Sequence, residues 1–152
     1  DLDLKQLQKS SKFAFIAIGQ ITNLFLRSEI YQNLKKLDFD LPILISPSAI
    51  VSDKSKIGEG TIVMNGAIVN AGANIGSNCI INTGAIVEHD ACIGDNTHIS
   101  TNSVINGNAS VGKCSFIGSG SVIRNDISVG DECIVPMGSV VYKHINDGDK
   151  TI

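Results

Sequence analysis

Two histidines and three acids crowd one short stretch, IVEHDACIGDNTHIS, at residues 86–100. His89 stands between Glu88 and Asp90, and His98 follows nine residues later. The chain has only three histidines, and the third, His144, lies far along the sequence. A neutral imidazole is the side chain best suited to take a proton near neutral pH. A carboxylate beside it can orient the ring and stabilise the cation that forms. Either Asp90 or Glu88 could do this for His89. A groove holding an amine or alcohol, a thioester and this base would support direct acyl transfer. Position alone allows a blander reading, a solvated turn histidine, and a second histidine flanking the same groove weighs against it.

What must position these residues is a repeat. From Ile45 to Val141 a Val or Ile recurs every six residues without a break. A helix needs a period of 3.6 and a simple strand a period of two, so six residues mean short strands joined by regular corners. From Ser55 to Ser139 the position two before each aliphatic is small, as at Ala67, Ala85, Thr97 and Ser121, with Ile127 the large exception. Alternation puts both positions inside a narrow, filled prism. Gly58, Gly76, Gly94, Gly112 and Gly130 are eighteen apart, so one turn of the coil has three sides. These glycines are expected where the corner backbone needs a permissive residue, and Asn70, Asn82 and Asn106 at corners that tolerate left-handed geometry.

The residue before each inward aliphatic points outward. The first face carries Lys56, Asn74, Cys92, Ser110 and Ser128 and is polar. The second carries Ile62, Ile80, His98, Phe116 and Ile134, and the third Ile68, Ile86, Val104, Val122 and Val140. Two apolar columns make too large a patch for a soluble monomer. A homotrimer, closed by packing the second face of one chain on the third face of the next, is the expectation. His98, the polar member of its column, is then expected in the groove between chains. His89 is expected at the corner between the third and first faces, with Ala71 and Gly107 one coil away leaving its ring accessible.

Residues 1–42 have a different grammar and read as a partial α/β unit. The run FAFIAIG at residues 13–19 is expected as a buried strand, and Leu24, Leu26, Ile30, Leu34 and Leu37 have roughly helical spacing. Pro42 closes the unit, and residues 43–152 form the second. Net charge is −3 with no basic run, which argues against nucleic acid and anionic membrane as partners. The apolar runs are too short to span a bilayer, and no signal peptide is read at the start. Four cysteines without a CxxC pair suggest free thiols in a reducing compartment, hence a cytoplasmic protein.

The unbroken [Ile/Val]-Gly-x-x-small-x pattern resembles the hexapeptide-repeat acyltransferases, whose fold is a left-handed parallel β-helix; the hand is implied by the resemblance. NTGAIVEHDACIGDNTHIS is similar to the active-site coil of the sialic acid O-acetyltransferase and bacillosamine-pathway amino-sugar N-acetyltransferase family. FIAIG, Arg27, EIYQNL and SPSAIVS resemble that family's passage from sugar-nucleotide domain into β-helix. The resemblance implies an enzyme that transfers acetyl from acetyl-CoA, with no metal, to an amine or hydroxyl of a sugar. It implies His89 as general base and Asp90 as the acid that raises its basicity, although many members have Glu there. It implies His98, Ser119 and Met137 along the acetyl donor, and Gly19 at the sugar-nucleotide site. Members begin with a strand and glycine-rich loop and end with a Gly-x-Pro-Ala segment. This chain shows neither and is expected to be a fragment. Other readings are a zinc site of the trimeric carbonic anhydrase kind, a non-enzymatic β-helix such as a scaffold or ice-binding protein, and a related acyltransferase with a serine or maltose acceptor. Spacing of the histidines, the lack of a Thr array and the α/β piece argue against them in turn.

Overall fold

The computed structural model describes residues 4–21 and 23–150. From Leu44 the chain winds into a left-handed parallel β-helix. Each side of the coil is a two-residue strand, an outward residue followed by an inward aliphatic, from Leu44–Ile45 to Val140–Val141. Strands three apart in sequence pair in parallel, so each residue stacks on the one eighteen further on; His98 lies between Ile80 and Phe116. The stacked strands make three sheets, two of six strands and one of five among the described residues.

The prism is filled as the alternation requires. Val63, Ile81, Val87, Ile99, Ile105, Ile117 and Ile123 are fully buried, and so are Ala67, Cys79, Ala85 and Ala91 beside them. Each buried aliphatic contributes about 1.5–3 kcal/mol, which is what holds strands of only two residues in place. The buried hydroxyls are satisfied: Thr61 Oγ1 donates to the Gly76 carbonyl at 2.8 Å and Thr97 Oγ1 to Gly112 at 2.6 Å.

The corners depart from expectation in two ways. Left-handed backbone falls three residues after each inward aliphatic, from Gly60 to Gly138, with φ between 51° and 76°. Asn78, Asp90, Asn96, Asn102 and Asn108 occupy that position, whereas Asn70, Asn82 and Asn106 do not. The glycines at eighteen-residue spacing have no positive φ. They are small because successive coils touch there: a Cβ at Gly94 would lie 2.7 Å from Lys113 N, and one at Gly58 only 2.6 Å from the Gly76 carbonyl carbon.

The N-terminal part holds helix α1, Leu4–Ser10, which the periodicity did not foretell, and helix α2, Leu26–Lys36. No described helix is long and apolar enough to cross a membrane. Tyr31 and Leu34 of α2 pack with Ile16, Phe39 and Leu41 in a second small core. Residues 13–19 are not the buried strand expected of them. Phe13 makes a single bridge with Asp40, Ile16 is buried, and Phe13 and Ile18 are exposed. A strand needs a ladder for its carbonyls, and here a side chain takes them instead. Arg27 Nη1 donates to Ile16 O at 2.6 Å and to Ile18 O at 2.9 Å.

The same guanidinium reaches the coil, donating from Nε to Asn78 O at 3.2 Å and from Nη2 to Gly60 O at 3.3 Å. Arg27 is 1% exposed, and burial pulls its pKa down to about 10, so it stays charged at neutral pH. It ties the N-terminal segment to the β-helix through four carbonyls. Arg27→Met orphans these acceptors at about 1–3 kcal/mol for each that stays buried. Limited proteolysis is expected to cut within residues 11–25 of that variant while the coil stays resistant. Unchanged resistance of the segment would contradict the tie.

Candidate active site

His89 and Asp90 occupy the corner after strand Ile86–Val87. Asp90 takes the left-handed position with φ 60°, which Asp tolerates better than most residues. In that conformation its Oδ2 lies 3.0 Å from His89 Nδ1. A carboxylate only accepts, so Nδ1–H donates, and the lone pair of neutral His89 sits on Nε2. Glu88 Oε2 accepts instead from the His89 backbone N–H at 3.3 Å. Of the two candidate acids, Asp90 therefore orients the ring. Both side chains are open to solvent, 61% for His89 and 68% for Asp90. An exposed pair of this kind adds little stability, so its consequence is orientation.

His98 is placed differently from expectation. It is 6% exposed within its own chain, because residues 13–21 lie over part of the second face. Its Nδ1–H donates to the Gln20 carbonyl at 2.7 Å. Its Nε2 accepts from Asn82 Nδ2 at 3.0 Å, and Asn82 is held in that orientation because its Oδ1 accepts the Thr83 N–H at 2.7 Å. The Phe116 ring meets His98 edge-on at 5.2 Å. Burial lowers the His98 pKa; the bond to Gln20 opposes this in part and the nearby Arg27 charge adds to it. His98 is thus a neutral imidazole with a fixed tautomer.

Asn82, read from sequence only as a corner residue, belongs to this site. The eighteen-residue register was the available signal, since Asn82 follows Ile80–Ile81 and Ile80 stacks directly on His98. Asn82 and His98 are polar points in a largely apolar cavity of about 280 Å³, whose wall includes Gly19, Ile18, Ile62 and Ile80. Gly19 and His98 are therefore brought together. A Cβ added at Gly19 would meet nothing within 4 Å, so packing does not require glycine there.

Ser119 and Met137 stand one coil apart on the edge that follows the second face, with Thr83 and Thr101 below them. Ser119 Oγ pairs with Ser100 Oγ at 2.9 Å, and Met137 is 81% exposed. His89 does not join this group. It follows the third face, and among the described residues no hydrogen bond connects it with His98. A more open groove of about 430 Å³ crosses Gly76, Gly94 and Gly112. Its Asp95 and Asp131 carboxylates already accept the Ser77 and Lys113 backbone N–H groups.

Comparison with known proteins follows the same lines. Residues 72–107 match the family model "bacterial transferase hexapeptide (six repeats)" and residues 108–143 match "hexapeptide repeat of succinyl-transferase". No curated protein sequence matches the chain. Among solved structures, a mutant of perosamine N-acetyltransferase from Caulobacter crescentus, in complex with CoA and GDP-perosamine, is 36% identical. The match covers 97% of this chain and 69% of that one, with a TM-score of 0.92. The chain belongs to the hexapeptide-repeat sugar acyltransferases. The acetyltransferase domain of PglB from Neisseria gonorrhoeae, in complex with acetyl coenzyme A, is 36% identical over 95% of this chain and 71% of that domain's chain, with a TM-score of 0.88. WeeI from Acinetobacter baumannii is 27% identical over 94% and 71%, with a TM-score of 0.79.

The buried histidine gives this acyltransferase a pH dependence of stability. A histidine whose native pKa is depressed costs stability once the unfolded chain takes up a proton that the native state refuses. The loss begins near the ordinary histidine value of about 6.5 and grows as pH falls toward the native value. Thermal melts between pH 7.5 and 5.5 are expected to fall with pH more steeply for the natural chain than for His98→Asn. Parallel curves would show that His98 is protonated as readily in the native state as in the unfolded one.

Proposed function

We propose that the chain transfers an acetyl group from acetyl-CoA to an amine of a nucleotide-linked sugar, by direct attack, with His89 as general base. The observation that carries this reading is the oriented pair. Asp90 holds Nδ1–H, which leaves the lone pair on Nε2 of a solvent-exposed side chain. The relatives support the substrates: perosamine N-acetyltransferase is seen with CoA and GDP-perosamine, and the PglB domain with acetyl coenzyme A. The amine attacks the thioester carbonyl carbon while His89 Nε2 takes its proton. The imidazolium so formed lies against the Asp90 carboxylate. The intermediate collapses with cleavage of the C–S bond, and the proton on His89 passes to the leaving sulfur. Products are the N-acetyl sugar and coenzyme A, and the base is regenerated.

His98 and Asn82 line the cavity expected to receive the reacting ends, near Gly19 on the sugar-nucleotide side. The edge of Ser119 and Met137 provides the track for the donor. With His89 following the third face and the other groups on the second, a complete site takes the two halves from neighbouring chains of a homotrimer. The apolar third column supports that assembly: Ile50 is 66% and Val140 67% exposed in the single chain. Because the N-terminal segment already covers Ile80 and His98, the third face meets that covered side and its rim. The four cysteines are unpaired, which supports a reducing, cytoplasmic setting.

Turnover is to be measured with acetyl-CoA and a panel of GDP- and UDP-linked amino sugars, with sialic acids as hydroxyl acceptors. His89→Ala is expected to lower kcat by about 10²–10⁴-fold with coenzyme A binding retained. Asp90→Asn is expected to lose less. Near-normal kcat in folded His89→Ala would overturn the assignment, and turnover confined to sialic acids would replace the amine by a hydroxyl. Val104→Asp places a charge in the third column at a cost of several kcal/mol if that column is an interface. Sedimentation is expected to show monomer or aggregate, and an intact trimer would contradict the assembly.

A further inference from the structure

Gly107 lies one coil above His89, in the same position of the same corner. From Asp53 to Met137, every other residue two after an inward aliphatic carries a side chain, among them Ala71, Thr83 and Asn125. The φ of Gly107 is not in the left-handed region, so its backbone does not call for glycine. It also stands outside the series of glycines pressed by coil-to-coil contact. What requires glycine there is the imidazole. A Cβ on Gly107 would meet His89 Nε2 at 2.5 Å, Cε1 at 2.6 Å and Cδ2 at 3.2 Å, and these three are its nearest atoms.

One hydrogen bond restrains the ring against withdrawing. Its Nδ1 end is held by Asp90 at 3.0 Å, and retreat from a methyl group would strain or break that bond. We propose that Gly107 is a positioning residue for the acyl transfer: its missing Cβ forms the seat on which the His89 ring rests, and so sets where Nε2 points. Asp90 fixes one end of the ring and Gly107 the height of the other. The inference rests on His89 being the general base.

The test uses Gly107→Ala, His89→Ala and the double variant, read by thermal melting without ligand and by kcat with acetyl-CoA and the amino-sugar nucleotide the panel identifies. Gly107→Ala is expected to melt below the natural chain, whereas the double variant melts with His89→Ala, because removing the ring vacates the space. Displacing a reacting group by about 1 Å costs on the order of 100-fold, and that loss is expected in kcat, with KM changed by less than about threefold. In the His89→Ala background the second change is expected to cost nothing more in kcat. The proposal is overturned if Gly107→Ala melts and turns over like the natural chain. It is overturned equally if the double variant is destabilised beyond His89→Ala, or if the two kinetic losses multiply. Should Gly107→Ala not fold, the melting of the double variant still decides. Full activity of His89→Ala removes the base reading but leaves the clash measurable, while an inactive His89→Ala beside a fully active Gly107→Ala removes only the positioning role.

Discussion

Every feature of this protein depends on one constraint: a residue stacks on the residue eighteen positions away. Parallel pairing of two-residue strands enforces that register from Leu44 to Val141. A strand so short has almost no stability of its own, and only the continuous inward column of Val and Ile holds it. A slip of one residue would drive polar outward side chains into a prism with no room for them. The register therefore decides which side chains become neighbours. It sets Gly107 over His89, Ile80 beside His98 and Met137 above Ser119.

The corners convert that register into chemistry. From Gly60 to Gly138 each corner has a left-handed residue, and most of these corners take Gly or Asn. At residue 90 an Asp satisfies the same backbone demand and brings a carboxylate to the preceding histidine. The fold requirement and the orienting bond are met by one side chain. This explains how Asp, shorter than Glu, still reaches the ring. His98 shows the opposite environment. Burial keeps it neutral and its bonds to Gln20 and Asn82 keep it fixed, whereas the His89 side chain is open to solvent.

Much of this was legible in the sequence, because a six-residue period projects directly onto geometry. The inward column, the three faces, the homologous positions of His89 and Gly107 and the apolar third face all follow from counting. What counting could not reveal depends on contacts between segments of different grammar. Residues 13–19 have the composition of a buried strand, yet Arg27 takes the Ile16 and Ile18 carbonyls and leaves no ladder. The cover over His98 comes from that same segment, so the second face is not the open column its residues suggest. Asn82 read as a turn residue because its bond to His98 crosses between coils. The glycines at eighteen-residue spacing line one corner because coils approach closely there, and periodicity cannot tell a close approach from a positive φ.

The central claim is that an exposed imidazole, held by Asp90, removes the acceptor proton. The pH dependence of kcat/KM tests it most directly, measured with saturating acetyl-CoA for the natural chain and for His89→Ala. The account expects the natural profile to lose activity toward low pH more steeply than protonation of the acceptor amine alone would cause, and expects only the amine's limb to remain in the residual activity of His89→Ala. An acid limb unchanged by the substitution would contradict it, because the group that must be unprotonated for transfer would then lie elsewhere.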